Sequence, residues 1–107
     1  MTTIIGQLWK LQGTTLINKA NLWKSNDKWK FTSKGKTLYI ENTTNRKVFE
    51  NSDDNKVNEK AFDEDRPQQC WIKGEADSDG YFTITNSDSK KVLTSTLKNN
   101  LEVRGKL

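Results

Sequence analysis

The chain contains one stretch twice. Aligned, TLYIENTTNRKVFENSDDNKV (37–57) and YFTITNSDSKKVLTSTLKNNL (81–101) put Ile40 on Ile84, 44 residues apart. Asn42 then falls on Asn86, Lys47-Val48 on Lys91-Val92 and Phe49 on Leu93. The first segment of each copy alternates, with Leu38 and Ile40 on one face in the first and Phe82 and Ile84 in the second. That is the period of a strand buried on one side. The intervening TTNR and SDSK have hairpin-turn compositions, so each copy reads as strand, four-residue turn, strand.

The tryptophans extend the repeat. Trp29 and Trp71 lie 42 residues apart, each ahead of a Gly-bearing loop and an Ile-x-Asn strand. Trp9 stands in a third such setting: Gln7-Leu8-Trp9 matches Gln69-Cys70-Trp71, with Asp27-Lys28-Trp29 in the same slot, and GTTLIN (13–18) is a degraded GKTLYIEN (35–42). This gives one domain, 1–107, of three units: about 13–31, which is shortened; about 36–73, which is complete; and about 80–107. The last lacks a closing Gln-x-Trp strand, and the chain opens with a spare one at 7–11. The N-terminal strand is therefore expected to complete the third unit, closing the sheet and removing its exposed edges. Trp9, Trp29 and Trp71 are expected in the core around a pseudo-threefold axis, with the amides of Gln7 and Gln69 tying loops to backbone groups. No helix is expected. The best candidate, VNEKAFDEDRPQ, is broken by Pro67 and has no apolar stripe.

Composition narrows the function. Apolar residues make up 32% and charged residues 30%, but four Trp, four Phe and two Tyr indicate a folded, aromatic-rich core and not a disordered chain. There is no His and a single Cys, so neither an internal disulfide nor a Cys/His zinc site can form. The opening MTTIIGQLWK has no long apolar run, so no signal peptide or membrane span is expected; a cytoplasmic location is compatible and the location stays open. The net charge of +4 is unevenly spread: residues 1–47 hold nine Lys/Arg and two acids, residues 48–79 four and ten, and residues 80–107 five and two. Such a dipole steers partners. The acidic run ENSDDNKVNEKAFDEDR lacks the spacing of a calcium loop and reads as solvated, so no metal and no cofactor are expected. Cys70 alternates with Gln69 and Trp71, which turns it away from the core, and it has no His to activate it. No catalytic residues are identified.

QQCW followed by DGYFTITNSDSKKVLTS resembles the unit of the ricin B-type β-trefoil lectins: Gln-x-Trp, a Gly-bearing loop, a strand ending Ile-x-Asn, then Ser-x-Lys-Val-Leu. The resemblance covers most of 35–107 and, weakly, 7–31. It implies an all-β trefoil of three pseudo-repeats, the alternative being another small β-barrel or sandwich. It also implies one sugar pocket per unit. In such a pocket an acid just after Val-Leu accepts from sugar hydroxyls, an aromatic ring stacks on the pyranose, and a polar residue with the Gln before the Trp completes the contacts. Carried over, the second unit offers Glu50 in the acidic slot, Phe62 as the ring, and Gln68 and Gln69 as the polar pair. The third has Thr94 in place of the acid and Gly6 before Gln7. The first has Lys24 there, with Asn26 and Asp27 in the polar slots. At most one pocket therefore survives.

Secondary candidates are Trp23, which would be a binding ring if it points outward beside Leu22, together with Asn26 and Asp27, and Lys28 and Lys30, which alternation places on one exposed face. Three functions follow. The first is a non-enzymatic lectin-like module, with galactose-type sugars as the first expectation. The second is a protein-interaction module that has lost sugar binding. The third is binding of anionic glycans through residues 19–36. No nucleic-acid partner is expected, and the oligomeric state is open.

Overall fold

The structure, a computed structural model, describes residues 6–106. Residues 1–5, in the stretch read for a leader, and Leu107, the end of the third unit, lie outside the described residues. The strands are β1 (Trp9–Gln12), β2 (Thr15–Asn18), β3 (Trp29–Lys34), β4 (Thr37–Asn42), β5 (Lys47–Glu50), β6 (Asn58–Ala61), β7 (Trp71–Lys73), β8 (Ile84–Asn86), β9 (Val92–Ser95) and β10 (Leu101–Arg104). A 3₁₀ turn, Pro67–Gln69, interrupts them, Gly6 and Gln7 are also in 3₁₀ conformation ahead of β1, and the described residues contain no α-helix. The segment VNEKAFDEDRPQ becomes β6, a loop and that turn.

The threefold repeat is visible in the strand register. In β1–β2, β3–β4 and β7–β8 the indole residue faces the asparagine: Trp9 opposite Asn18, Trp29 opposite Asn42, Trp71 opposite Asn86. Each Asn Oδ1 accepts the N–H two residues on, from Ala20, Thr44 and Asp88 at 3.0–3.1 Å. Asparagine recurs here because its short amide closes the turn locally. In the second and third units the turn ends on a residue in left-handed conformation, Arg46 (φ 65) and Lys90 (φ 63), whose N–H returns to the Asn carbonyl.

The N-terminal strand completes the third unit. Trp9 and Phe82 exchange backbone hydrogen bonds at 2.9 and 2.8 Å. In the second unit Trp71 pairs with Leu38, and in the first the Trp29 N–H reaches the Thr14 carbonyl at 2.8 Å. The outer hairpins β5–β6 and β9–β10 touch through a bridge between Lys56 and Glu102. The stretch between β2 and β3, residues 19–28, carries no strand. It sends Trp23 inward instead.

Equivalent positions fill one core: Trp9, Trp29 and Trp71; Leu16, Ile40 and Ile84; and Trp23, Phe49 and Leu93. Trp23 touches Trp9, Trp29 and Phe49 with ring centroids 5.7–6.3 Å apart. Three fully buried indoles, each hiding about 150–250 Å² at about 25 cal/mol per Å², supply a large share of the drive to fold. Strand alternation fails at Cys70. Gln69, Cys70 and Trp71 are all buried, at 1%, 8% and 0% exposure, because the 3₁₀ turn rotates the chain between them. The expectation that Cys70 faces away from the core is thereby corrected: its Sγ lies 3.8 Å from the Arg66 carbonyl.

Between β7 and β8, Asp77 staples its loop. One carboxylate oxygen takes the N–H groups of Asp79 and Tyr81 and the other pairs with Lys19 at 2.8 Å. The hydrogen bond from Lys19 and those from the backbone hold the Asp77 carboxyl down to about 2.

Candidate functional site

The second unit gathers its polar residues around the end of β5. Glu50 closes that strand and is 3% exposed. Its Oε1 accepts from Arg66 Nε at 2.8 Å and from Gln69 Nε2 at 3.0 Å. Gln69 has its other partners at the end of β6 and just after it: Nε2 also donates to the Ala61 carbonyl at 2.9 Å, and Oε1 accepts the Asp63 N–H at 2.9 Å. A buried amide thus clamps both ends of the turn that presents Phe62. Phe62 itself is 47% exposed and leans edge-on against Tyr39, with centroids 4.5 Å apart. Together with Lys60, Asp63 and Glu64, these side chains line an open cleft of about 870 Å³.

Burial works against ionisation of Glu50. The hydrogen bonds from Arg66, Gln69 and Ser52 and the charge of Arg66 outweigh it, so its pKa lies below the ordinary 4.5. A carboxyl lowered by folding stabilises the fold fully above its unfolded value, and that contribution is lost as pH falls through the lowered one. Thermal unfolding followed from pH 7 to pH 2 should therefore show a loss of stability that begins below about 4.5. In Arg66→Ala the acid-linked loss should be smaller and end at higher pH, because removing that donor raises the folded-state pKa of Glu50 toward its unfolded value. An identical acid profile in the two proteins would refute the coupling.

Glu50, Phe62 and Gln69, 19 residues apart at their extremes, therefore meet in one cleft. Gln68 does not join them: its carbonyl is committed to the Asn51 N–H and to Asn86 Nδ2, both at 3.0 Å, and it lies outside the lining. Trp23 is 8% exposed at the centre of the aromatic core, which corrects its reading as an outward binding ring. No strand fixes it beside Leu22, and the shortened unit fills with its indole the space that Phe49 and Leu93 fill elsewhere. Asn26, Asp27, Lys28 and Lys30 are exposed on the first unit's loop and β3, with Lys30 opposite Glu41 in register. None of them lines the Glu50–Phe62 cleft.

The third unit repeats the clamp without the charge. Gln7 Nε2 donates to Thr94 Oγ1 at 3.3 Å and to the Gly105 carbonyl at 2.9 Å. The position matching Phe62 is Lys106, so this unit has neither carboxylate nor ring.

Sequence reasoning missed Arg66, Lys60, Asp63, Glu64 and Tyr39. Arg66 alone left a signal, as the one base in the run EDRPQQ, three residues before the Gln of the repeat.

No significant match is found among curated proteins or among solved structures. A family model described as ricin-type β-trefoil lectin domain-like matches residues 6–103. The match spans all three Trp–Asn hairpins and both outer ones. It agrees with the all-β architecture, the three pseudo-repeats and the closing N-terminal strand. The fold is a β-trefoil, and the chain belongs to the ricin-type β-trefoil lectin domain-like family.

Proposed function

We propose that this protein is a non-enzymatic carbohydrate-binding module with a single sugar site, the cleft of the second unit. The family links the fold to carbohydrate binding and is generally non-enzymatic. The observation that carries the reading is the half-exposed ring of Phe62 standing in the same cleft as a guanidinium fixed by a buried carboxylate. A pyranose offers an apolar face to the ring and hydroxyls to the polar rim. Glu50 is too enclosed to meet the sugar broadly, and its role is to position Arg66. The Arg66 guanidinium and Lys60 then donate to sugar oxygens, and the carboxylates of Asp63 and Glu64 accept from hydroxyls. Galactose-type sugars are the first choice, since a rim of mixed donors and acceptors beside one ring suits neutral hexoses.

A glycan array followed by titration tests this. Phe62→Ala and Arg66→Ala should each weaken binding at least tenfold, about 1.4 kcal/mol, while Lys106→Ala, at the matching place in the third unit, should change nothing. Binding that survives both cleft variants would refute the site. Binding confined to sulfated glycans and lost in a Lys28→Ala/Lys30→Ala double variant would move it to the basic face. A blank array would favour a scaffold that docks a protein, for which Leu97, 87% exposed after β9, is the leading apolar contact.

A further inference from the structure

We infer that the ligand is an oligosaccharide of at least two pyranose units, bound across Phe62 into a second subsite. This rests on the cleft being a sugar site. The ring of Phe62 is shared by two depressions. One is the cleft over Glu50 and Arg66; the other is lined by Thr32, Tyr39, Glu41, Arg46 and Val48. Tyr39 packs edge-on to Phe62 at 4.5 Å and 62°, so the two rings form a single aromatic ridge between the depressions.

Each side of the ridge carries the same chemistry. Arg66 Nε lies 2.8 Å from Glu50 on one side, and Arg46 Nε lies 3.2 Å from Glu41 on the other. In each pair the carboxylate holds a guanidinium whose remaining N–H groups can donate to vicinal sugar oxygens, and Glu41, the more exposed of the two acids, can also accept. The backbone sets the spacing. Val48 and Glu50 lie two residues apart on β5, about 7 Å along the strand, and Glu41 pairs with Val48 across from β4. The two polar pairs therefore sit about one sugar ring apart, with apolar area between them.

The arrangement belongs to one unit. The cross-strand pair Thr32–Tyr39 corresponds to Gln12–Thr15 in β1–β2 and to Gly74–Thr83 beside β7–β8. No aromatic stands at either place, and Lys106 replaces Phe62 in the third unit. A pocket for one monosaccharide would need Phe62 but would leave the outward face of β3–β4 without use for Tyr39 and its ion pair.

The test is affinity against chain length. The probes are galactose and its β-1,4-linked di-, tri- and tetrasaccharides, with glucose and N-acetylglucosamine series of the same lengths in parallel. The trisaccharide should bind at least tenfold more tightly than its monosaccharide. Thr32→Arg, which fills the second depression, and Glu41→Gln, which removes its charged acceptor, should leave the monosaccharide affinity within twofold and abolish the gain. Both positions are partly buried, and an unchanged thermal transition certifies each variant. Affinity independent of length, or a gain that survives both variants, would overturn the second subsite. A flat series still weakened at every length by Phe62→Ala would do so while leaving the first subsite standing. A complete lack of binding in all three series would remove both.

Discussion

Gln69→Leu should cost about 3–5 kcal/mol of stability, the range expected when a buried charge loses a partner. Gln7→Leu, at the same place in the third unit, should cost only about 1–3 kcal/mol. Both glutamines are completely buried and both clamp the end of an outer hairpin. They differ in what they satisfy. Each donates to a backbone carbonyl, but where Gln7 also serves the Thr94 hydroxyl, Gln69 serves the Glu50 carboxylate. Leucine fills nearly the same volume, so the difference is electrostatic and not a matter of packing. Against a total of about 5–15 kcal/mol for a domain, the larger loss brings the protein close to unfolding at ambient temperature. Urea denaturation of the two variants measures the gap. Adding Glu50→Gln to Gln69→Leu should restore part of the loss, because the buried charge that lost one of its donors is gone. Equal costs for the two single variants, or no recovery in the double, would show that the Glu50 carboxylate places no special demand on Gln69.

The repeat was legible because interior geometry permits few substitutes. An indole opposite an asparagine, with an Ile or Leu two residues before that asparagine, is required three times over, and the chain keeps all three in order. That pattern was enough to identify the missing closing strand and to find it at the other end of the sequence. The surroundings of Glu50 were less legible. The alignment of Glu50 with Thr94 follows from the repeat, and the clamp by Gln7 and Gln69 on those two residues reproduces it in space. Arg66, in contrast, is not part of the repeat, since Ile4 stands at the matching place three residues before Gln7, and its contact is 16 residues distant. No period reports such a pair. Cys70 was the position whose direction the alternation missed. Strand alternation with Gln69 and Trp71 would turn it outward, whereas Pro67 starts a 3₁₀ turn whose side chains do not alternate. Trp23 was ambiguous because it lies where the first unit has lost its hairpin, so no register determines its direction.

That lost hairpin leaves a mark on energetics, and the second large effect follows from it. Trp71→Phe and Trp9→Phe should each destabilise by about 3–5 kcal/mol, through a cavity together with a buried carbonyl deprived of its donor. Trp29→Phe should cost clearly less. The indole N–H of Trp9 donates to the Leu93 carbonyl at 2.9 Å and that of Trp71 to the Phe49 carbonyl at 3.1 Å. The equivalent carbonyl for Trp29 would belong to Trp23, but residues 19–28 form no strand to present it. Trp29 Nε1 is buried without a hydrogen-bond partner, alone in this among the side-chain atoms of the described residues. Phenylalanine there removes an unsatisfied donor and so recovers about 1–3 kcal/mol of desolvation that offsets the cavity. Trp29 also packs on Phe49 at 4.6 Å, so the cavity needs its own control. Replacing each tryptophan with benzothienylalanine keeps the bicyclic shape and deletes only the N–H. Under that substitution positions 9 and 71 should still lose stability, while position 29 should hold or gain. A loss at position 29 equal to the other two would mean that a carbonyl does reach this nitrogen, and that the first unit preserves the threefold bonding despite lacking the hairpin.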